Sequence, residues 1–247
     1  MLVNRHDYRL AGNGGYGVGY QLLHTSSCDQ NEIDTELSLL SLRKQHYGEK
    51  VIAIDCGANI GTHTVEWSRH MYGWGEVIAF EAQERIYYAL AGNVSINNCF
   101  NAKAIWAAVG SKSGTIYVPS PDYLKPSSFG SLEIRKKDTT EFIGQDVSYD
   151  VSNSIETKLL AIDDLQLQRI DLIKIDIEGM EMEALQGAEK SLVRCKPQLI
   201  IEKIKSNEQE IIGLLENIGY KYFPFGINIL AIHSTDPSLS VVKVSQT

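Results

Sequence analysis

Short apolar runs alternate with helical patterns along the chain from Val51 onward. Four of the five runs end on a carboxylate, and together the runs occupy residues 51–54, 76–80, 102–109, 171–175 and 198–201. Strands of a parallel sheet are buried on both faces, so they show nearly continuous apolar stretches rather than strict alternation. Because helical patterns separate the runs, the sequence predicts an α/β fold with a mostly parallel sheet.

The helical patterns are clearest at residues 32–47, at 85–97 and after position 206. The last helix is expected to begin after the capping residue Asn207 and to end before Gly219. Two further strands are predicted at 220–225 and 227–233. We expect them to form a hairpin that closes the sheet with an antiparallel edge.

Two segments fall outside this alternation. Residues 1–50 contain a glycine-dense stretch, and residues 119–155 hold three of the six prolines and no clear periodicity. We therefore divide the chain into an N-terminal extension, 1–50, that packs on or over a ligand site, and a main domain, 51–247, with an insertion at 119–155. Long irregular insertions in compact domains are usually functional or disordered, and we expect Ser127, Ser128 and Phe129 to line a substrate pocket.

Composition and charge narrow the classes of partner. Lysine and arginine number 23 against 31 aspartates and glutamates, so the net charge of −8 disfavours general nucleic-acid binding. The four cysteines lie far apart and form no Cys-x-x-Cys pair, which argues against a disulfide framework or a zinc ribbon. No apolar run approaches the roughly 18 residues of a membrane span. The expectation is a cytoplasmic protein that acts without a membrane; the sequence predicts no oligomeric state.

The most informative stretch is Asp-Cys-Gly-Ala-Asn-Ile-Gly-Thr at 55–62, which begins where a strand ends and continues into a helix. Glycines there allow a tight turn and close approach of a ligand at the strand's carboxyl end. The spacing departs from the G-x-G-x-x-G of dinucleotide sites, and the Gly-Lys-Ser/Thr of phosphate loops is absent. At the end of the second strand, Glu81 has the position of an acid that binds ribose hydroxyls.

Four segments together resemble the FkbM-type S-adenosylmethionine-dependent methyltransferases: 55–61, 80–83, 171–181 (Asp-Leu-Ile-Lys-Ile-Asp-Ile-Glu-Gly-Met-Glu) and 197–202. The resemblance implies a class I methyltransferase fold, Rossmann-like, with a seven-stranded mostly parallel sheet, helices on both faces and an antiparallel C-terminal strand. It also implies S-adenosylmethionine as the cofactor, with the methyl group directed toward the ends of the fourth and fifth strands. The cofactor-binding residues it implies are Asp55, Gly57, Ala58, Asn59, Ile60, Gly61, Glu81, Ala82 and Gln83.

The ends of the fourth and fifth strands carry Asp176, Glu178 and Glu202, which we predict to be catalytic. Neighbouring carboxylates raise one another's pKa, so one of them can act as the base that removes the acceptor's proton. Alternatively, Asp176 and Glu202 bind a divalent cation such as Mg²⁺. In a third interpretation Glu178 only caps the following helix. Of the nearby residues, Lys174 is expected to form an ion pair. His63, in the first turn after the glycine loop, either faces the cofactor or the acceptor or only packs, and packing is favoured.

The resemblance favours O-methylation of a hydroxyl on a sugar, a glycan or a small natural product, so the partner is a small-molecule or saccharide acceptor. Two other functions use the same crevice. One is an NAD-linked Rossmann-type oxidoreductase, which the missing G-x-G-x-x-G disfavours. The other is a non-catalytic cofactor-binding module.

Overall fold

A computed structural model describes residues 1–12 and 14–242. Its strands are β1 (Arg9–Ala11), β2 (Gly14–Tyr16), β3 (Val51–Cys56), β4 (Gly75–Glu81), β5 (Ala102–Trp106), β6 (Ala108–Val109), β7 (Gly114–Pro119), β8 (Ser154–Leu160), β9 (Leu172–Ile175), β10 (Gln198–Glu202), β11 (Tyr220–Phe225) and β12 (Asn228–His233). Its α-helices are α1 (Val18–Thr25), α2 (Gln30–Tyr47), α3 (Thr62–His70), α4 (Glu84–Ile96), α5 (Glu181–Gln186), α6 (Glu189–Cys195) and α7 (Glu208–Asn217).

The central sheet has seven strands in the order β11-β12-β10-β9-β3-β4-β5. Strands β10, β9, β3, β4 and β5 are parallel neighbours, which confirms the predicted mostly parallel sheet. Strand β12 is antiparallel to both β10 and β11, so the C-terminal strand is antiparallel as expected. The hairpin of β11 and β12 closes the sheet with an antiparallel pair at its edge, as expected, and β12 is the inner strand of that pair. All six residues of β12 are buried, whereas β11 is largely exposed, and the more apolar strand takes the interior position.

The apolar run at 102–109 forms two strands rather than one. Strand β5 joins the central sheet, whereas β6 pairs with β8 in a separate three-stranded sheet of order β6-β8-β7. The chain divides at Ala107, whose amide donates a hydrogen bond to the carbonyl of Glu81. The segment between β7 and β8 corresponds to the predicted insertion, and it returns the chain to the rim of the central sheet.

Helices cover both faces of the central sheet because side chains of successive strand residues point to opposite faces. On one face, Leu40 of α2 and Trp67 of α3 pack against Val51 and Leu172. On the other face, Leu185, Leu192 and Leu215 of α5, α6 and α7 join the larger apolar cluster. Helix α7 begins as predicted, with the side chain of Asn207 accepting a hydrogen bond from the amide of Gln209.

A buried ion cluster joins α2 to the amino end of the sheet. Arg43 bonds Asp171 at 3.0 Å and Asp236 at 2.7 Å, and Asp171 also accepts the Arg169 guanidinium at 2.7 Å. The amide of Ile52 donates to the second oxygen of Asp171 at 2.9 Å. Each buried charged side chain of this cluster, Arg43, Asp171 and Asp236, therefore has a partner of opposite charge.

Within residues 1–12 and 14–242, no helix is both long and apolar enough to span a bilayer. The four cysteines, Cys28, Cys56, Cys99 and Cys195, are free.

Candidate functional site

A cavity of about 320 Å³ opens at the carboxyl ends of β3, β4, β9 and β10. This is the position at which open α/β sheets bind their ligands. Its floor is formed by the turn after β3, and its sides by the residues that follow β4, β9 and β10. The predicted crevice is therefore present and open.

The turn after β3 requires glycine at position 57. Gly57 has a φ of +82°, and a Cβ on it would lie 1.8 Å from the carbonyl oxygen of Asp176. The amides of Gly57 and Ala58 both donate to the carbonyl of Phe80, which ties the turn to the end of β4. The absence of a side chain thus lets the ends of β3, β4 and β9 approach one another.

The structure brings six of the nine predicted cofactor-binding residues to the cavity wall: Gly57, Ala58, Asn59, Glu81, Ala82 and Gln83. The other three lie behind the turn. Asp55 is buried and accepts the Thr64 hydroxyl at 2.6 Å, so it holds α3 in place beneath the cavity. Ile60 packs against Ile86 in a small apolar cluster, and Gly61 with a φ of +89° starts α3.

Glu81 is the carboxylate on the β4 side of the cavity. Its two oxygens accept the amides of Asn59 at 3.0 Å and Gln83 at 2.8 Å, which orients the side chain. Burial raises the pKa of Glu81 to about 7, and these backbone hydrogen bonds oppose the rise. A carboxylate held in this way can still accept hydroxyl donors through its remaining lone pairs.

The three predicted catalytic acids converge on the opposite side of the cavity. Carboxylate oxygens of Asp176, Glu178 and Glu202 lie within 4.8 Å of one another. Burial, and then the charge of Asp176, raise the pKa of Glu178 to about 8 and that of Glu202 to about 9. Glu202 is 6% exposed, and its Oε2 atom is buried without a hydrogen-bond partner. The cluster therefore holds carboxyl groups that bind protons much more tightly than ordinary glutamates.

Two lysines neutralise part of this cluster. Lys174 is buried within β9 and contacts Asp176 at 2.8 Å, which is the predicted ion pair. Lys205 contacts Glu178 and lies 3.1 Å from Glu141, a residue of the insertion. The structure does not place Glu178 as the cap of the next helix, because α5 begins at Glu181 and Met180 has the capping position. The Glu181 carboxylate accepts the amides of Ile177 and Gly179 in the preceding loop.

The cavity roof comes from two distant parts of the chain. Residues of the first 50 that line it include Tyr16, Gly17, Val18, Gln21, Cys28 and Asp29, and those of the insertion include Ser128, Gly130, Ser131, Leu132 and Ile134. Asp7 joins the two parts, since its carboxylate accepts the amides of Gly19 at 3.1 Å and Phe129 at 3.2 Å. Of the predicted pocket residues in the insertion, Ser128 lines the cavity, while Ser127 and Phe129 are fully buried beside it.

The sequence contains no signal that Asp7 connects the N-terminal segment to the insertion, because its partners lie 12 and 122 positions away. His63, which the sequence assigns either to packing or to a ligand, is almost fully buried. It lines the cavity, and its Nδ1 atom lies 2.7 Å from Oε2 of the fully buried Glu36, which also accepts the Trp67 indole at 2.7 Å.

Sequence comparison relates this chain to known methyltransferases. The profile of the Methyltransferase FkbM domain matches residues 55–222. Methyltransferase sdnD of Sordaria araneosa is 28% identical over 188 residues, covering 68% of this chain and 72% of that protein. Methyltransferase 1 of Beauveria bassiana (strain ARSEF 2860) is 21% identical over 146 residues, covering 54% of this chain and 57% of that protein.

Among solved structures, the crystal structure of Methyltransferase FkbM from Methylobacillus flagellatus KT aligns with a TM-score of 0.49 and 17% identity. The alignment covers 78% of this chain and 48% of that one, so this chain spans about half of that protein's length. The profile covers more than half of the chain and includes both the glycine turn and the acid cluster. The chain therefore belongs to the FkbM family of S-adenosylmethionine-dependent methyltransferases.

Proposed function

We propose that this methyltransferase transfers a methyl group to a hydroxyl of an uncharged sugar, glycan or small natural product. The observation that carries the proposal is the convergence of Asp176, Glu178 and Glu202 at one side of the cavity, with an unpartnered buried oxygen on Glu202. O-methylation requires a group that takes the hydroxyl proton as the new bond forms. Family membership favours this chemistry over the NAD-linked oxidoreductase and the non-catalytic module.

The residues of the cavity suit S-adenosylmethionine, which supplies the electrophilic methyl group when bound. In this proposal Glu81 accepts the ribose hydroxyls, while Ala58 and Asn59 line the floor. The apolar wall near the end of β5, made by Ala107, Ala108 and Val109, suits the adenine ring. In the same proposal Gly57, Ala82 and Gln83 also line the cofactor site, and Asp55, Ile60 and Gly61 support the turn from behind.

Glu202 is our candidate for the base. A carboxyl with a raised pKa accepts a proton more strongly than an ordinary glutamate, and catalytic efficiency is greatest for a pKa near the working pH. A positive charge bound nearby lowers the pKa of a carboxyl toward neutrality. The cationic donor would therefore favour the ionised form of Glu202 when the acceptor hydroxyl arrives. Asp176 and Glu178 would orient that hydroxyl.

The charge of the cavity is the reason for proposing an uncharged acceptor. Among the described lining residues Lys174 is the only lysine or arginine, and it is already paired with Asp176. Five of the lining residues are acids, and three of them lie where we expect the acceptor: Asp29 and Glu81, and on the acceptor side Asp176, Glu178 and Glu202. Phosphorylated sugars are therefore expected to be poor acceptors.

A divalent cation such as Mg²⁺ is the second candidate for activating the hydroxyl, favoured because oxygens of the three carboxylates lie within 4.8 Å of one another. The contacts of Lys174 and Lys205 already satisfy part of the negative charge of the cluster, which is why the base is preferred. Assays in EDTA and in added Mg²⁺ separate the two. Turnover that persists in EDTA supports the base, and turnover restored only by Mg²⁺ supports the metal.

The function is tested in two steps. First, S-adenosylhomocysteine is expected to raise the melting temperature, because a ligand of the native state stabilises it, whereas NADH is not. Second, the enzyme is incubated with S-adenosylmethionine labelled on the methyl group and a panel of neutral glycosides, polyols and sugar phosphates. Label is expected on a hydroxyl oxygen of a neutral acceptor. Label on nitrogen or carbon, or on sugar phosphates alone, contradicts the proposal.

A further inference from the structure

The end of the cavity away from the apolar wall carries charges of both signs. Cys28, Asp29, Thr62, His63 and Lys174 line it. Neighbouring strands lie about 4.8 Å apart, so β9 is separated by two strand spacings from β4 and its Glu81. A cofactor with its ribose at Glu81 and its adenine against the apolar wall therefore extends its amino-acid end across the glycine turn toward this group.

His63 is held in one orientation by residues behind it. Its Nδ1 atom lies 2.7 Å from Glu36 Oε2, which is fixed in turn by the Trp67 indole at 2.7 Å. Because Nδ1 is directed at Glu36, Nε2 is the ring nitrogen left for a ligand. The ring belongs to the first turn of α3, where backbone amides lack intrahelical partners and favour negative charge.

We propose that the His63–Glu36 pair is the receptor for the α-carboxylate of S-adenosylmethionine, with imidazolium Nε2 as the donor, and that it makes cofactor affinity depend on pH. The proposal rests on the cofactor assignment above. Asp29, on the same end of the cavity, is placed to balance the α-ammonium group of the cofactor. The histidine is thus a cofactor-binding residue, not a packing residue.

The charges around His63 decide its protonation. Burial lowers the pKa of the imidazole, but the adjacent carboxylate of Glu36 raises it, and the net direction is upward. Lys174 on β9 opposes the rise, whereas Asp55 on β3 supports it; Glu32, on α2 beside Glu36, is a further acid near the ring. The imidazolium is therefore favoured at neutral pH and is lost as the pH rises through its folded-state pKa.

The test compares two ligands in the full chain by isothermal titration calorimetry. S-adenosylhomocysteine carries the amino-acid end, and 5′-methylthioadenosine lacks it. His63→Asn keeps a donor toward Glu36 but removes Nε2. We expect His63→Asn to lower the affinity for S-adenosylhomocysteine about tenfold or more, because hydrogen bonds between charged groups are stronger than those between neutral groups. The affinity for 5′-methylthioadenosine should change less than twofold. His70→Asn, at the other end of α3 and outside the cavity, is the matched control.

The pH dependence gives a second readout. In the wild type, the affinity for S-adenosylhomocysteine relative to that for 5′-methylthioadenosine is expected to fall from pH 6 to 9. In His63→Asn, this relative affinity should change with pH only as far as the amine of S-adenosylhomocysteine titrates. Titration of Glu81 affects both affinities equally, because both ligands contain the ribose, so it does not change their ratio. Glu36→Gln is expected to move the fall to lower pH by removing the negative charge beside the ring.

Each outcome decides the proposal. An unchanged affinity ratio in His63→Asn, or equal weakening of both ligands there and in Glu36→Gln, overturns it. Retained binding of 5′-methylthioadenosine shows that a variant has folded and that the adenosine half of the cavity is intact. If the wild type binds neither ligand, the cofactor assignment itself fails, and this is a different result from failure of the receptor alone.

Discussion

An aspartate flanks each end of β9, but the surroundings of the two residues differ. At the amino end, Asp171 is fully buried and contacts two arginines and a backbone amide. At the carboxyl end, Asp176 has one cationic partner, Lys174, which also lines the cavity. Asp176 lies beside Glu178 and Glu202, whose pKa values are raised. Paired buried charges maintain structure, whereas unpaired ones carry a cost that marks a site of chemistry.

This contrast indicates that substitutions at the amino end should change mainly stability, and substitutions at the carboxyl end mainly activity. A partner removed at the amino end leaves an uncompensated buried charge. A carboxylate neutralised at the carboxyl end relieves repulsion between like charges and removes a group that can accept a proton. We therefore expect substitutions at the two ends to have opposite signatures.

The largest effect is expected for Glu202→Gln, which removes the proposed base while keeping the side chain's shape. Turnover should fall by about 10²- to 10⁴-fold, the usual contribution of general base catalysis. The affinity for S-adenosylhomocysteine should change little. Turnover is measured by methyl transfer to the identified acceptor, with the exposed Glu208→Gln as control. Full activity in Glu202→Gln would move the base elsewhere.

Next in size is Arg43→Ala at the opposite end of the sheet. It leaves Asp171 and Asp236 without their shared cation, so the free energy of unfolding should fall by about 3–5 kcal/mol. Urea denaturation measures the change. The control is Arg69→Ala, which breaks an exposed pair with Glu66 and should cost less than about 1 kcal/mol. Equal losses in the two variants would contradict the proposed difference between paired buried and exposed charges.

A smaller effect is expected at Glu81. Glu81→Ala removes the acceptor for ribose hydroxyls, and affinity for S-adenosylhomocysteine should fall about 10- to 100-fold, as for hydrogen bonds to a charged group. Glu76→Ala, exposed on the same strand, serves as the control. Unchanged affinity in Glu81→Ala would show that the ribose lies elsewhere, and the floor of the cavity would need another assignment.

The most gradual effect is a dependence of stability on pH, which is spread over several pH units. Glu178 and Glu202 have folded-state pKa values of about 8 and 9, above the unfolded value of 4.5. The folded state therefore binds more protons between these limits, and stability should fall as the pH rises from about 5 to about 9. Each group contributes at most about 1.4 kcal/mol per pH unit. Thermal denaturation of Glu202→Gln should show a flatter profile; an identical profile would contradict the raised pKa.

The parallel strands could be predicted because burial on both faces produces continuous apolar runs that a sequence shows directly. The same signal failed at 102–109, where one run forms strands of two sheets. It also missed β7 and β8, in which exposed, half-buried and buried residues are mixed. The C-terminal hairpin could be predicted, but the sequence does not show that β12 is its inner strand. Only the packing of its six buried residues against β10 makes it the inner strand.

The candidate site divides in the same way. Gly57, Glu81, Asp176 and Glu202 could be named in advance, since each directly follows a strand and parallel strands end at one edge. The contributions of Asp7, Lys205 and the His63–Glu36 pair could not. Their partners come from other helices, the insertion and the N-terminal segment, so no local sequence pattern predicts these contacts.

By itself the sequence determined the α/β class, the glycine turn and the identity of the acids at the strand ends, because these follow from periodicity and from residue type at strand ends. The tertiary structure alone decided which acids remain unpaired, which lysines neutralise them and which segments roof the cavity. The physical reason is that protonation and binding depend on distance and burial. Both arise when segments more than a hundred residues apart in sequence, such as Asp7 and Phe129, pack together.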